Sequence, residues 1–380
     1  MSGKVSRPYE NVRCLLEKQV VVLDIGAAYT KFGYAGEATP RGITKTEIKC
    51  TETKKIRPIF KYNSVDDLYQ LLVEFLHAIF FKHVVITPKD KKLVVLESLL
   101  TPTKFRDTLA KVLFKHFEIA SLMLLPSHLV TISTLGWDTA LVLDVGYQDA
   151  TLIPVYKGVP VLKAWQSLPL AAEAVHNRML ELFRESVPEV DFNEELIEDI
   201  KVRTCFVTSI ERSRKLESQE PPVPPPSVKY PGLMTITIPG HIREKAFELL
   251  WERDNDNLSI PTMILDSLVK CPIDMRQQLA ENILLVGGTV MTKGFTARLK
   301  SELISIASSN LYCEKLKSRN FKFHTPPCKP NYTVWLGGAI FGIADLPSRC
   351  ILKENYLKDD RVPDWASLLY NKKEGSSSGI

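Results

Sequence analysis

The sequence predicts an α/β protein of two lobes built from one duplicated unit. Three observations predict it. An Asp-x-Gly hairpin pattern occurs twice, two Gly-Gly turns follow apolar runs late in the chain, and strand-like and helix-like segments alternate between these landmarks. At 380 residues the chain also exceeds one ordinary core, which favours two or more lobes.

The first copy of the repeat is Val21-Val22-Leu23-Asp24-Ile25-Gly26, which reads as a buried strand running into Asp-x-Gly. The second is Val142-Leu143-Asp144-Val145-Gly146. A second strand follows each, Lys31 to Tyr34 and Thr151 to Tyr156, and then a glycine, Gly36 or Gly158. Each copy therefore reads as a β-hairpin with a carboxylate and a glycine at its tip. Two unrelated buried strands with turn residues is the alternative. It is the weaker reading, because an Asp at the end of a buried strand needs a partner and here it recurs in register. Later, Ile283 to Val286 reads as a strand entering Gly287-Gly288-Thr289, with Phe295, Leu299, Leu303 and Ile306 marking one face of the following helix. Val334-Trp335-Leu336 reads as a strand entering Gly337-Gly338, with Ala339 to Ala344 as an apolar helix. Paired glycines at such points let backbone approach a ligand or another helix closely.

Between the landmarks, Leu68, Leu71, Leu72, Phe75, Leu76, Ile79 and Phe80 fall at helical spacing, and Ser64 with Asp67 has the pattern of a capping box. Leu93 to Leu96 reads as a strand. Thr101-Pro102 opens a helix with proline in its first position and Phe105, Leu109, Val112 and Leu113 facing inward. Pro221 to Pro226 holds five prolines in six residues and can be neither helix nor central strand. It reads as an exposed polyproline-type linker, with a docking site for a proline-binding module as the alternative. Residues from Lys372 to Ile380 read as a disordered polar tail.

Composition narrows the function classes. Hydrophobic residues make up 45% and charged residues 24%, ordinary for a globular protein, and the net charge is a mild +5. The basic stretches Lys54–Lys61 and Lys89–Lys92 hold a single aromatic, Phe60, and lack the aromatic interleaving of a nucleic-acid groove, so a solvated surface is expected. Seven cysteines (Cys14, Cys50, Cys205, Cys271, Cys313, Cys328 and Cys350) are scattered without a Cys-x-x-Cys pair. That pattern argues for free thiols and against a disulfide frame or zinc site. Met1 to Gln19 lacks the apolar core of a secretory signal, and no apolar run is long enough to span a bilayer. A cytosolic or nuclear protein is expected, without membrane insertion.

These segments together resemble the actin family. VVLDIGAAYTKFGYAGEATPR is similar to the first phosphate hairpin of actin, with Lys31 at the phosphate-contacting lysine, and LVLDVG with IPVYKG resembles the second. Asp199-Ile200-Lys201 with Cys205-Phe206-Val207, Lys270-Cys271-Pro272-Ile273-Asp274 and NILLVGGTVMTKGF resemble later actin segments in the same order, and TVWLGGAIFG resembles the helix that closes the molecule. The branch most resembled is the actin-related subunit at the pointed end of dynactin, through EDIKVRTCFV, LVKCPIDMRQQLAEN, WLGGAIFG and Arg361-Val362-Pro363-Asp364-Trp365. The resemblance implies an actin-like ATPase fold, with two duplicated RNase-H-like lobes around a nucleotide cleft. On this expectation residues 1–44, 62–135 and 335–380 form the outer lobe, and 45–61 are the remnant of a truncated second subdomain. Residues 136–171 and 262–334 form the inner lobe, and 172–261 the fourth subdomain.

The implied nucleotide-binding residues are Asp24, Gly26, Lys31, Asp144, Gly146, Lys201, Gly287, Gly288, Thr289 and Met291. Asp24 and Asp144 are expected to hold Mg²⁺ through water, and ATP or ADP to serve as a structural ligand. The hydrolytic set departs from the family pattern. Its Asp-x-Gly-Asp-Gly is here Asp144-Val145-Gly146-Tyr147-Gln148-Asp149, so a side chain stands where bare backbone should meet phosphate. Ala27 and Ala28 replace a Ser and a Gly of the first hairpin. Ser127 and Thr151 fall at the water-positioning Gln and its partner His, and Val202 falls at the ribose-contacting Glu. Phosphoryl transfer to water rests on positioning and electrostatics, so a non-hydrolysing protein with no catalytic residues is expected.

Only Gly42 to Val65 separate Arg41 from Asp66-Asp67, much less than in actin, and Glu252 to Asn257 is polar where actin carries an apolar plug. Loops shorten easily, yet this one joins a subunit to its pointed-side neighbour. A terminal position is therefore expected, with Ile340 and Phe341 as docking residues. The implied partners are actin-related filament subunits and other dynactin pointed-end subunits, with dynein-driven microtubule transport served indirectly and the cytoplasmic cytoskeleton as the location. The alternatives are a nuclear actin-related subunit of a chromatin-remodelling complex and, less favoured, a small-molecule kinase of the same fold.

Overall fold

The computed structural model describes residues 19–49, 56–188, 190, 192–216, 218, 220–231, 235–316, 319–344 and 350–364. Cys14, Cys50, Trp365 and the expected polar tail lie outside them. The chain forms two compact units, residues 1–134 with 334–380, and residues 135–333.

The first unit is built on a six-stranded sheet. Its spatial order is Ile351–Leu352, Ser121–Pro126, Lys92–Glu97, Val21–Ile25, Tyr29–Tyr34 and Gly42–Lys45. Val21–Ile25 pairs antiparallel with Tyr29–Tyr34 and parallel with Lys92–Glu97. The second unit repeats this plan. Ala140–Val145 pairs antiparallel with Ala150–Tyr156 and parallel with Ile283–Val286, with Phe323–His324 outside and Val159–Pro160 at the other edge. In both units an antiparallel hairpin is thus extended by two parallel strands beside its first arm and by antiparallel pairing beside its second. The duplicated-unit reading stands over the unrelated-strand alternative. Gly36 and Gly158 close the two copies at φ +88° and +75°, a region β-carbons disfavour.

Helices cover these sheets. Val65–His77 buries Leu68, Leu71, Leu72, Phe75 and Leu76. Ser64 caps it by accepting from the Asp67 amide at 3.1 Å, but Asp67 accepts from the Asn63 amide, one residue before the cap, so half of the expected capping box forms. Ile79 and Phe80 stay buried although the helix widens into π-type turns over Ala78–Val84. The Thr103–Lys111 helix starts one residue later than expected, leaving Pro102 as its cap, while Phe105, Leu109, Val112 and Leu113 face inward as expected. In the second unit Phe295–Ala307 buries Phe295, Leu299, Leu303 and Ile306. Among the described residues no helix is long and apolar enough to cross a membrane.

One element differs in kind from the reading of its residue pattern and agrees with the helix that the resemblance of TVWLGGAIFG implied. Val334-Trp335-Leu336 is no strand; Thr333–Ile343 is one helix with Gly337 and Gly338 inside it. A short apolar run cannot by itself separate a buried strand from a buried helix. The glycines serve close packing. A β-carbon on Gly337 would lie 2.2 Å from the Val130 carbonyl oxygen, and one on Gly338 would lie 2.6 Å from Leu96. Trp335, fully buried, donates its indole N–H to the Val22 carbonyl at 3.2 Å and so joins this helix to the first hairpin.

Where the expected second subdomain is short, Glu47–Lys49 and Ile56–Pro58 pair as a small antiparallel ribbon. Arg57 holds both carboxylate oxygens of Asp67 at 2.9 Å, fastening the ribbon to the Val65–His77 helix. Glu252 to Asn257 is exposed throughout.

Candidate functional site

The two hairpin tips share one construction. In the first unit, the Gly26 amide donates to the Tyr29 carbonyl at 3.1 Å, closing the turn after Asp24. In the second, the Gly146 amide donates to the Asp149 carbonyl at 3.1 Å, closing the turn after Asp144. A threonine hydroxyl then donates to each turn glycine's carbonyl, Thr46 to Gly26 at 2.7 Å and Thr289 to Gly146 at 2.8 Å. A backbone carbonyl removed from water needs such a donor, so each threonine fixes its tip. Thr46 had no sequence signal, since it reaches the tip from the bend between Gly42–Lys45 and Glu47–Lys49.

In the first unit Asp24, Gly26 and Lys31 stand together. Asp24 and Lys31 are cross-strand partners, and their charged ends meet at 3.0 Å with both side chains mostly covered. Ser127, at the start of the Ser127–Ser133 helix, is buried with its hydroxyl 3.1 Å from Nδ1 of His128. Ile340 and Phe341 lie near the end of the Thr333–Ile343 helix, Ile340 exposed and Phe341 half-buried.

In the second unit Asp144, Gly146, Gly287 and Thr289 converge. Gly287 takes φ +98°, and a β-carbon there would lie 2.2 Å from the Val145 carbonyl oxygen and 2.7 Å from Asp144 Oδ1. The Ala172–Ser186 helix begins at the tip, where the Ala172 and Glu173 amides donate to the Gly146 and Tyr147 carbonyls at 3.3 and 2.8 Å. Gly288 has no heavy atom near the position of a β-carbon, so its backbone is uncovered on that side, as a phosphate approach requires. Together with the Asp144 carboxylate, this fits a nucleotide held as a ligand. Met291 closes the short 3₁₀ turn Thr289–Met291 and is half exposed.

Around the second tip, two of the residues that depart from the family pattern, Tyr147 and Thr151, have partners of their own. The Tyr147 hydroxyl donates to Glu194, and its ring meets the edge of His176 with centroids 5.8 Å apart. Lys201 Nζ lies 2.7 Å from His176 Nε2. Burial draws the Lys201 ammonium down to about 8, against the opposing pull of Glu198, Cys205 and Glu194. Burial, then the Lys201 charge, lowers His176 to about 3. The imidazole is therefore neutral at physiological pH, and the ammonium donates to Nε2. The ring proton then sits on Nδ1, which has no hydrogen-bond partner among the described residues. Asp149 accepts from the Thr151 hydroxyl at 3.0 Å, and burial, partly offset by that bond, raises its carboxyl. Gln148 is exposed, as is Val202. Lys201 thus gives one N–H to a neutral imidazole that the residue pattern did not mark, 25 residues away and without a motif. Among the described residues no group of three or more metal-ligating side chains gathers.

Comparison with known proteins agrees with this geometry. The family model for actin matches residues 62–204 and 192–361. Actin-related protein 10 of Dictyostelium discoideum is 27% identical over 433 aligned residues, covering 92% of this chain and 90% of that protein.

Proposed function

Because this chain belongs to the actin family, we propose that it is a non-hydrolysing structural subunit that caps the pointed end of the dynactin filament. In that place it supports dynein-driven transport along microtubules within the cytoplasmic cytoskeleton. The observation that carries the loss of hydrolysis is the second hairpin's tip. Tyr147 holds Glu194 and Thr151 holds Asp149, so the residues that stand in place of the family's working groups are engaged in contacts of their own. The shortness of the sequence between Arg41 and Asp66, whose described part is the ribbon fastened by Arg57 and Asp67, supports the terminal position. The similarity to an actin-related protein over nearly the whole chain supports membership of an actin-related assembly.

ATP or ADP with Mg²⁺ serves in this reading as a structural ligand. Asp24, Gly26 and Lys31 in the first unit would contribute to holding it, and so would Asp144, Gly146, Lys201, Gly287, Gly288, Thr289 and Met291 in the second. Bound to the folded state alone, a nucleotide stabilises that state by mass action. The purified protein is expected to release phosphate from ATP no faster than the Asp24→Ala and Asp144→Ala variants. Steady release in the wild type that both substitutions abolish would overturn the reading.

The docking polarity has its own test. Phe341 is a large aromatic, half-buried and beside exposed Ile340 and Ile343. An aromatic at the centre of an interface contributes about 2 kcal/mol or more, roughly thirtyfold in affinity. Phe341→Asp is therefore expected to melt close to wild type by circular dichroism yet be lost from the co-purified complex. Incorporation of a folded Phe341→Asp chain at the wild-type level would remove the helix end from the interface.

A further inference from the structure

The proline run between the Ile210–Leu216 helix and the Val228–Tyr230 strand has no part in the filament role proposed above. Each proline fixes its own φ near −65°, and every residue that precedes a proline is pushed into extended geometry. All of residues 220 to 226 except Pro222 and Pro226 precede a proline, so covalent structure biases the run to polyproline II, and all described peptide bonds are trans. That helix has three residues per turn, so it presents three ridges.

Burial follows this period. Pro222 and Pro225, three residues apart, are half-buried, while Pro221, Pro224, Val223 and Pro226 are exposed, Val223 to 86%. One ridge lies on the protein body and two face solvent. The body grips the segment through its backbone. Arg212 donates to the Val223 carbonyl at 2.9 Å while holding buried Glu244 at 2.7 Å, and Arg243 donates to the Pro226 carbonyl at 2.7 Å. At Gly240 a β-carbon would fall 1.5 Å from the Pro225 carbonyl oxygen, so only glycine lets the segment lie where it does. A plain linker needs none of this support. A ligand held in its bound form does, since the ordering cost is met before association.

We infer that residues 221–226 are a preformed ligand for a proline-binding domain whose aromatic groove reads two ridges of a polyproline II helix. The flanks choose among such grooves. No Lys or Arg occurs between Lys215 and Lys229, so an SH3 groove, whose acidic pocket seeks a basic residue beside the prolines, is poorly matched. A groove of the WW type, which grips exposed prolines between aromatic rings, fits the bare ridges.

The test titrates the full-length chain into isotope-labelled WW domains selective for Pro-Pro-x-Pro sequences, with SH3 domains in parallel. The groove tryptophan and tyrosine resonances of a WW domain are expected to shift. Pro221→Ala with Pro224→Ala, and separately Val223→Asp, are expected to weaken binding about tenfold or more. Glu220→Ala, on the flank, should leave it unchanged. All three variants alter exposed side chains, and a circular dichroism melt at the wild-type temperature certifies their folds. Absence of a shift with every WW domain would overturn the proposal, as would binding that survives both ridge variants. Tighter binding to an SH3 domain than to any WW domain would overturn the choice of groove.

Discussion

Arg298→Met is expected to lower the stability of the second unit by about 3–5 kcal/mol, the usual loss when one partner of a buried ion pair is removed. Arg298 is 3% exposed, and its guanidinium is fully employed. It donates to the Thr208 carbonyl at 2.9 Å, to the Ser213 hydroxyl at 2.9 Å, to both oxygens of Glu248 at 3.1 and 3.3 Å, and to Glu302 at 2.7 Å. Methionine keeps much of the side-chain volume but leaves the largely covered Glu248 carboxylate with the Ser213 hydroxyl, 2.6 Å away, and without its cation. Burial already pushes the Glu248 carboxyl up, with Ser213 and Arg298 holding it back, so loss of Arg298 leaves the desolvation cost uncompensated. Chemical denaturation followed by circular dichroism measures the loss. Removing both charges in Arg298→Met with Glu248→Leu should recover most of it, because the penalty lies in the orphaned charge. A single-variant loss below about 1 kcal/mol would show the network to be dispensable.

Gly337→Val is expected to cost more than about 3 kcal/mol, beyond ordinary overpacking, and to leave little folded first unit. The new β-carbon would sit 2.2 Å from the Val130 carbonyl oxygen and 2.6 Å from its carbon. These are backbone atoms and cannot rotate away, so the Thr333–Ile343 helix must lift and Trp335 must leave its bond to Val22. Gly288→Ala is the contrast, because nothing lies near its added carbon and its φ of −70° suits alanine. That variant should stay within about 0.5 kcal/mol of wild type. Thermal melts of the two proteins check the difference. Gly337→Val melting like Gly288→Ala would mean that the helix is not held against Val130.

The two Gly-Gly pairs look alike in the sequence, and their roles are different. Gly287 is required by a positive φ and by the Val145 carbonyl beside it, whereas Gly337 and Gly338 are required by what a helix packs against. Paired glycines after an apolar run state that backbone must come close to something. They do not state to what. The two Asp-x-Gly tips were legible for the opposite reason, since a strand, a carboxylate, a turn glycine and a return strand are all local and all recur.

The sequence alone determined the α/β class, the duplication, the family and the residues of both hairpin tips, because these rest on short-range periodicity and on spacings that repeat. It also carried the departures at Tyr147, Gln148, Ser127 and Thr151, which are identities at fixed positions. Tertiary structure alone decided what those residues do. It brought Thr46 and Thr289 to the turn carbonyls, Glu194 to Tyr147 across 47 positions and His176 to Lys201 across 25. It also decided that one ridge of the proline run is covered and two are open. Contacts between segments far apart in the chain depend on how elements pack, and packing imposes no period on either segment for a reader of the sequence to find.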